Sequence, residues 1–522
     1  MVRESRQIIM IGAENGALKN GKVGGLADVI RDLPNALGRA GWSVTVITPS
    51  YGFLHTVNPS KPVCTVTFPF AGTDHRGLFL EVQAMKPQEN VRHLVFEHPQ
   101  IRGNPIYSAD PPDQPFASDA TKYALFCSAV GQFVLSCDDA SVIHLHDWHT
   151  ATLFLLRERH PSFSRLKNYR IVFTIHNLSY QGSRPLRGKH ATVEEWFPEL
   201  FTDTAWMDKW ADERYKAPTF TPMAAGITHA DMLNTVSHSY AEEILLPSDP
   251  KTGFHGGEGL EKLLQEAKRE RRLTGILNGI EYPGDRIDHR VPFSKLFDII
   301  HAEVLAWNET LAPPPPESII ERILHMRSRS AGLLLTSVTR VSEQKIRLLF
   351  ERGSAGKTAI DMILDTLNRY NGFFILIGNG DPKYERLLEQ CAAVNNRFLY
   401  LKLYSDIIAQ ALYANGTLFL MPSSFEPCGI TQMIAMRDGQ PCIVHATGGL
   451  KDTVIDGVNG FQFKGGTIKE QVDDLLAATK RALKVYSSDK DQWQKICTEA
   501  RRVRFDWEAS ARRYIKEVYS PL

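Results

Sequence analysis

Several short apolar runs in this chain end in residues that can handle charge or hydroxyl groups. Leu333–Val338 leads into Thr339-Arg340-Val341-Ser342-Glu343-Gln344-Lys345, where Arg340 and Lys345 straddle a predicted helix start. Two cations beside a helix N-terminus can clamp a pyrophosphate; the plainer alternative is two solvated surface charges. Thr417–Met421 leads into Pro422-Ser423-Ser424-Phe425-Glu426-Pro427-Cys428-Gly429-Ile430-Thr431-Gln432. There Glu426 can grip ribose or sugar hydroxyls while the helix start behind it holds phosphate. Ile377-Gly378-Asn379-Gly380-Asp381 and Thr447-Gly448-Gly449-Leu450 are two more glycine-rich strand ends.

The first half carries its own candidates. Lys22-Val23-Gly24-Gly25-Leu26-Ala27-Asp28 enters a predicted helix, and adjacent glycines let backbone N–H groups approach a phosphate there. It is not a dinucleotide fingerprint, and taken alone it reads as a plain glycine turn. His146-Asp147-Trp148-His149, with His144 upstream, clusters groups that could suggest a metal. The spacing is not a usual ligand pattern, so polar residues facing a sugar are the better reading and structural histidines the plain alternative. His176-Asn177-Leu178-Ser179-Tyr180-Gln181-Gly182 places another histidine at a strand end, where it can hydrogen-bond sugar hydroxyls or simply serve the fold.

These candidates need strands to carry them. Gln7–Gly12, Ser43–Thr48, Val142–Leu145, Arg170–Ile175 and Asp231–Val236 read as buried strands. Between the first two, Leu26, Val29, Ile30, Leu33 and Leu37 recur at helical spacing, with Pro34 expected to kink or shorten the helix. The rhythm breaks after Glu243 and passes through a glycine-rich stretch around Phe254–Gly259, a charged helical segment and Ile276–Ile280. Pro313–Pro316 predicts a stiff exposed loop. Strand-helix alternation then restarts through Leu333–Val338, Phe373–Ile377, Phe398–Leu401, Thr417–Met421 and Cys442–His445. This predicts an α/β protein with parallel sheets, whose ligands bind beyond the carboxyl ends of the strands. The domains are expected at 1–245 and 246–505, with a terminal helix at 506–522.

Bulk properties narrow the partners. The chain has 522 residues, 43% hydrophobic and 23% charged, which fits a globular protein of two domains. Sixty basic residues against fifty-nine acidic ones give no general pull toward nucleic acid or anionic membrane. Seven dispersed cysteines without a CxxC pair suggest free thiols in a reducing compartment. No apolar stretch reaches membrane-spanning length, and a cytoplasmic enzyme is expected.

Taken in order, the motifs resemble those of bacterial glycogen synthases and plant starch synthases. The resemblance spans nearly the whole chain and rests on KVGGLADV (22–29), HDWH (146–149), HNLSYQG (176–182), NTVS (234–237), ILNGI (276–280), TRVSEQK (339–345), GNGDP (378–382), FEPCGITQ (425–432) and TGGLKDTV (447–454). It implies the GT-B fold: two Rossmann-like domains facing a deep interdomain cleft, with the terminal helix crossing back to the first domain. It implies retaining transfer of glucose from ADP-glucose to the non-reducing-end 4-hydroxyl of an α-1,4-glucan such as glycogen, with no metal and no cofactor beyond the nucleotide sugar. Lys22, Asp147, His176, Arg340, Lys345 and Glu426 are then the catalytic set. Gly24, Gly25, Asn234, Gly378, Tyr404, Cys428, Gly429, Ile430 and Thr431 would bind donor, and Tyr107 would stack on an acceptor sugar.

The pattern departs from the family at two places. Ile346 and Leu403 stand where the family usually has glycine, which bears on donor affinity and base preference. A related enzyme using UDP-glucose or a smaller acceptor, or a non-catalytic glucan-binding paralogue, is the alternative. Retention of Arg340, Lys345 and Glu426 argues against the paralogue, and the paired KVGGL and FEPCG motifs argue against a nucleotide-sugar epimerase.

Overall fold

The computed structural model describes residues 6–137, 140–282, 290–308, 317–329 and 332–520. The proline run Pro313–Pro316 lies outside the described residues. The chain divides into two compact units. The first is Met1–Pro247 with Gly256–Glu281 and Asp506–Leu522; the second is Ser248–His255 with Tyr282–Phe505.

The first unit is built on a nine-stranded sheet. In spatial order its strands are Leu273–Gly275, Met232–Thr235, Arg170–Ile175, Val142–His146, Gln7–Ile11, Ser43–Pro49, Val91–Glu97, Thr73–Val82 and Ser60–Phe70. The first seven run parallel, and their near-continuous apolar sequences fit strands buried on both faces. The last two are antiparallel and correct the all-parallel expectation. Their signal is period two: Val66, Phe68 and Phe70 are buried along one face. Ala71 and Gly72, both at positive φ, turn the chain between them, as a two-residue hairpin requires.

Two further expectations change. The helix Gly25–Arg39 runs through Pro34 without being shortened. Proline inside a helix costs about 3 kcal/mol. Burial of Leu26, Val29, Ile30, Leu33 and Leu37 along one stripe offsets that cost. Residues 256–281, expected in the second domain, belong to the first unit, because Leu273–Gly275 extends its sheet beside Met232–Thr235. The terminal segment 506–522 also packs in the first unit. It comprises the helix Trp507–Arg513 and a π-helical turn, Tyr514–Tyr519.

The second unit holds a six-stranded, fully parallel sheet. Its order is Phe398–Leu401, Gly372–Ile377, Leu333–Val338, Leu418–Met421, Cys442–His445 and Gly460–Phe463. Helices such as Ala359–Arg369 and Ile468–Ser488 bury apolar stripes in its core. No helix among the described residues is long and apolar enough to cross a membrane.

Trp507 is fully buried where the terminal segment docks in the first unit. Trp507→Ala is expected to destabilise that unit by about 3–5 kcal/mol. Thermal unfolding should show a lowered first-unit transition; an unchanged transition would contradict the docking.

Candidate active site

In the first unit the site grows from the carboxyl ends of adjacent parallel strands. The strand Val142–His146 ends at Asp147, which caps the helix Trp148–Arg159 at φ 57° and ψ 176°. Such a backbone is strained for aspartate and persists only where its surroundings hold it. The holding bonds are visible. The Asp147 N–H donates to the Thr174 carbonyl at 2.9 Å, and the carboxylate accepts from the His176 N–H at 2.8 Å. Burial pushes the Asp147 carboxyl up to about 7; nearby Glu14 pushes the same way, while the backbone donors of His176 and Asn177 pull it down.

Asp147 and His176 therefore meet, as the sequence led us to expect. His176 Nε2 also lies 2.9 Å from His146 Nδ1. Burial drives His144 and His176 to about 3 and holds His146 and His149 well below the usual imidazole value, so all four rings are neutral near pH 7. Among the described residues no group of three or more His, Cys, Asp or Glu side chains is arranged to hold a metal ion.

Glu14 is the residue that sequence reading missed. It is buried, and its carboxylate accepts from the Val23 N–H at 2.7 Å, from the Gly24 N–H and from the Tyr107 hydroxyl at 2.6 Å. The amides expected to meet a phosphate thus already face an internal anion. The signal was available: Glu14 stands three residues past the strand Gln7–Ile11, a strand-end position like the others. Gly24 caps the helix and Gly25 opens it, with open space around Gly25. Lys22, half exposed, forms an ion pair with Asp28 at 2.7 Å. Tyr107 spends its hydroxyl on Glu14 and sets its ring 5.2 Å from His149.

Asn234 requires a correction. It is fully buried, accepting from the Thr174 hydroxyl at 2.5 Å and donating to the Tyr514 hydroxyl at 2.8 Å. Both ends of its amide are occupied inside the unit, so it supports the site instead of contacting donor.

In the second unit, the strand Leu333–Val338 leads into the loop that carries Arg340, and the strand Leu418–Met421 into the loop that carries Glu426. Lys345, on the helix Glu343–Phe350, ion-pairs with the Glu426 carboxylate. The pair is largely shielded, with side-chain exposures of 17% and 7%. Ser423 Oγ donates to the same carboxylate at 3.3 Å. Arg340 is exposed, and among the described residues no acidic side chain pairs with it. This leaves one exposed cation and one paired cation after the strand Leu333–Val338, with the pairing carboxylate after the neighbouring strand Leu418–Met421.

The glycines here serve close approach. A Cβ on Gly378 would lie 1.7 Å from the Thr339 carbonyl oxygen, and one on Gly380 would lie 2.2 Å from that of Val341. Only glycine lets this loop press against the Thr339–Val341 segment that carries Arg340. Cys428 is buried, and Gly429 and Ile430 lead into the helix Thr431–Arg437. The Thr431 hydroxyl turns back to Met421 Sδ at 3.4 Å, so only its backbone belongs to the helix opening. Tyr404 is exposed, and its hydroxyl donates to Asp406 at 2.8 Å.

The two family departures have physical readings. Ile346 is fully buried in the hydrophobic core of the second unit, next in sequence to Lys345 but turned about 100° from it around the helix. It fills core, not site. Leu403 is likewise buried.

Two outcomes follow. A carboxyl whose folded value lies above its unfolded 3.8 binds its proton more readily in the fold. It therefore withdraws stability as pH rises from 3.8 to about 7. Asp147→Asn should gain stability relative to the parent across that window, read by denaturant unfolding at several pH values; a flat difference would contradict the buried carboxyl. Ile346→Gly should lose about 3–5 kcal/mol, from core cavity plus helix propensity, with donor KM within about twofold. A large KM change at unaltered stability would place Ile346 at the donor instead.

Comparison with known proteins agrees with this arrangement. Residues 7–266 match the starch synthase catalytic domain family, and residues 357–491 match glycosyl transferases group 1. A glycogen synthase of Trichodesmium erythraeum (strain IMS101) is 31% identical over 527 residues, covering 99% of each chain. One of Clostridium novyi (strain NT) is 32% identical over 514 residues, covering 96% of each. The catalytic domain of starch synthase IV from Arabidopsis thaliana, solved with ADP and acarbose bound, shares the fold at a TM-score of 0.73 and 24% identity, with 99% of both chains covered. With GT-B architecture, strand-end carboxylates and cations, and full-length kinship to glycogen synthases, the chain belongs to the glycogen and starch synthase family of glycosyltransferases.

Proposed function

We propose that this glycosyltransferase moves glucose from ADP-glucose to the 4-hydroxyl at the non-reducing end of an α-1,4-glucan, with retention of anomeric configuration and without a metal ion. The observation that carries the reading is the Lys345–Glu426 pair with Arg340, which follows the same strand as Lys345. A leaving nucleoside diphosphate develops negative charge as its bond to the sugar breaks. Fixed cations and helix starts lower that barrier because they need not reorganise when the charge appears. Lys345 is pre-positioned by Glu426, and in this scheme the exposed Arg340 meets the phosphate. Glu426 keeps carboxylate capacity for sugar hydroxyls.

By itself, the first unit carries polar groups suited to sugar hydroxyls at its strand ends. In this scheme His176 and Asp147 address the glucosyl ring. The bond between the anomeric carbon and the diphosphate oxygen breaks, and the bond to the acceptor 4-oxygen forms on the same face. The acceptor's hydroxyl proton passes to the departing phosphate oxygen. Retaining glycosidases place a second carboxylate close to the first for a covalent intermediate. Asp147, the strand-end carboxylate of the first unit, is held by backbone donors and assigned to orientation here. ADP bound to the Arabidopsis enzyme and the glycogen synthase names of the full-length relatives support the choice of donor and acceptor.

The test is glucose incorporation into glycogen from ADP-glucose and, in parallel, from UDP-glucose. Incorporation from ADP-glucose is expected, and transfer solely from UDP-glucose would overturn the donor assignment. Lys345→Ala and Glu426→Ala should each lower turnover about a hundred- to a thousandfold, or ~3 kcal/mol per lost group, without unfolding the chain. Near-parental turnover in both would sink the site.

A further inference from the structure

Adjacent parallel strands put residues of equal register in a row on one face. His146, Thr174, Asn234 and Thr274 form such a row across four strands, and His144 lies two residues back on the same face. The terminal segment bonds to this face at three points. Tyr519 Oη lies 3.0 Å from His144 Nδ1, Tyr514 accepts from Asn234 at 2.8 Å, and Glu517 accepts from Thr274 at 3.1 Å. In an α-helix, residues five apart point about 140° away from each other. The π-helical turn Tyr514–Tyr519 brings them to one side, with ring centroids 5.8 Å apart.

The hydrogen-bond directions can be counted. Thr174 Oγ1 gives its one proton to Asn234 Oδ1. It must therefore accept at its second bond, 2.6 Å from His144 Nε2. His144, neutral by burial, then carries its proton on Nε2 and is bare at Nδ1. Tyr519 has to donate to that Nδ1. The chain runs one way: Tyr519, His144, Thr174, Asn234, Tyr514. It abuts the site twice. The Thr174 carbonyl holds the Asp147 N–H, and the His144 ring lies against His146 at 4.1 Å between centroids, which in turn bonds to His176.

We infer that Tyr514 and Tyr519 are positioning residues for glucosyl transfer: their hydroxyls lock the proton order of His144, Thr174 and Asn234, and through it the placement of Asp147, His146 and His176. Neither tyrosine needs to touch substrate. The inference rests on the glucosyltransferase reading of the same site, so its test carries one readout that needs no activity.

The experiment uses the full chain with 15N-labelled histidine. Imidazole nitrogen shifts are recorded for the parent, Tyr514→Phe, Tyr519→Phe and Thr274→Val, with His144→Gln assigning the His144 signals. The parent is expected to show His144 protonated on Nε2 and bare on Nδ1, and Tyr519→Phe to lose that single tautomer. In kinetics, each Tyr→Phe variant should lower kcat about tenfold to a hundredfold with donor KM within twofold. Thr274→Val removes a hydrogen bond of the terminal segment that lies outside the proton chain, and should leave kcat within twofold. A parent His144 protonated on Nδ1 overturns the inference whatever the activity. So do parental kcat in both tyrosine variants, or an equal fall in Thr274→Val. If the parent transfers no glucose while its tautomer is as stated, the functional reading fails and the proton order stands.

Discussion

Register in a parallel sheet governs this molecule. Equal positions on neighbouring strands share a face, and polar side chains placed there must find partners inside the protein. An unpaired buried polar group costs about 1–3 kcal/mol, a large share of any domain's net stability. The first unit meets this demand by threading Tyr514, Glu517 and Tyr519 against the row of His144, Thr174, Asn234 and Thr274. The strained backbone of Asp147 rests on the same strands, through the Thr174 carbonyl and the His176 amide. Terminal segment, sheet and site are one connected hydrogen-bonded body.

The second unit solves a different problem, how to store positive charge. A lysine shielded from water needs a counter-ion, and Glu426 supplies it for Lys345. The two opposite charges leave the pair close to neutral overall. Arg340 stays in water, where an unpaired guanidinium costs little. Glu14 plays the matching part in the first unit, holding the Val23 and Gly24 amides with a carboxylate. In both units internal carboxylates hold donor groups in place, backbone amides in the first and a lysine in the second.

Sequence reading located the strands well where burial on both faces removes ambiguity. Leu333–Val338, Phe398–Leu401 and Cys442–His445 are found at the expected bounds. It failed where the period changed: Ser60–Phe70 and Thr73–Val82 alternate every second residue and join through a tight turn, a pattern the search for helix-linked strands passes over. The strand-end rule brought out Asp147, His176, Arg340 and Glu426, and would have brought out Glu14 had it been applied to every strand. Asn234 was misread because its position on the strand was visible but the hydroxyl of Tyr514, 280 residues away, was not. Pro34 and Ile346 teach the same lesson: local preference yields to what the core needs.

Linkage analysis of the product tests the central claim most directly. Glucose labelled with 14C is transferred from ADP-glucose to a maltooligosaccharide, and the product is digested with β-amylase, which removes maltose from non-reducing ends through α-1,4 bonds. The account predicts that nearly all the label is released as maltose. Label that resists β-amylase, in a product lengthened by one glucose, would contradict retaining α-1,4 transfer to the non-reducing end.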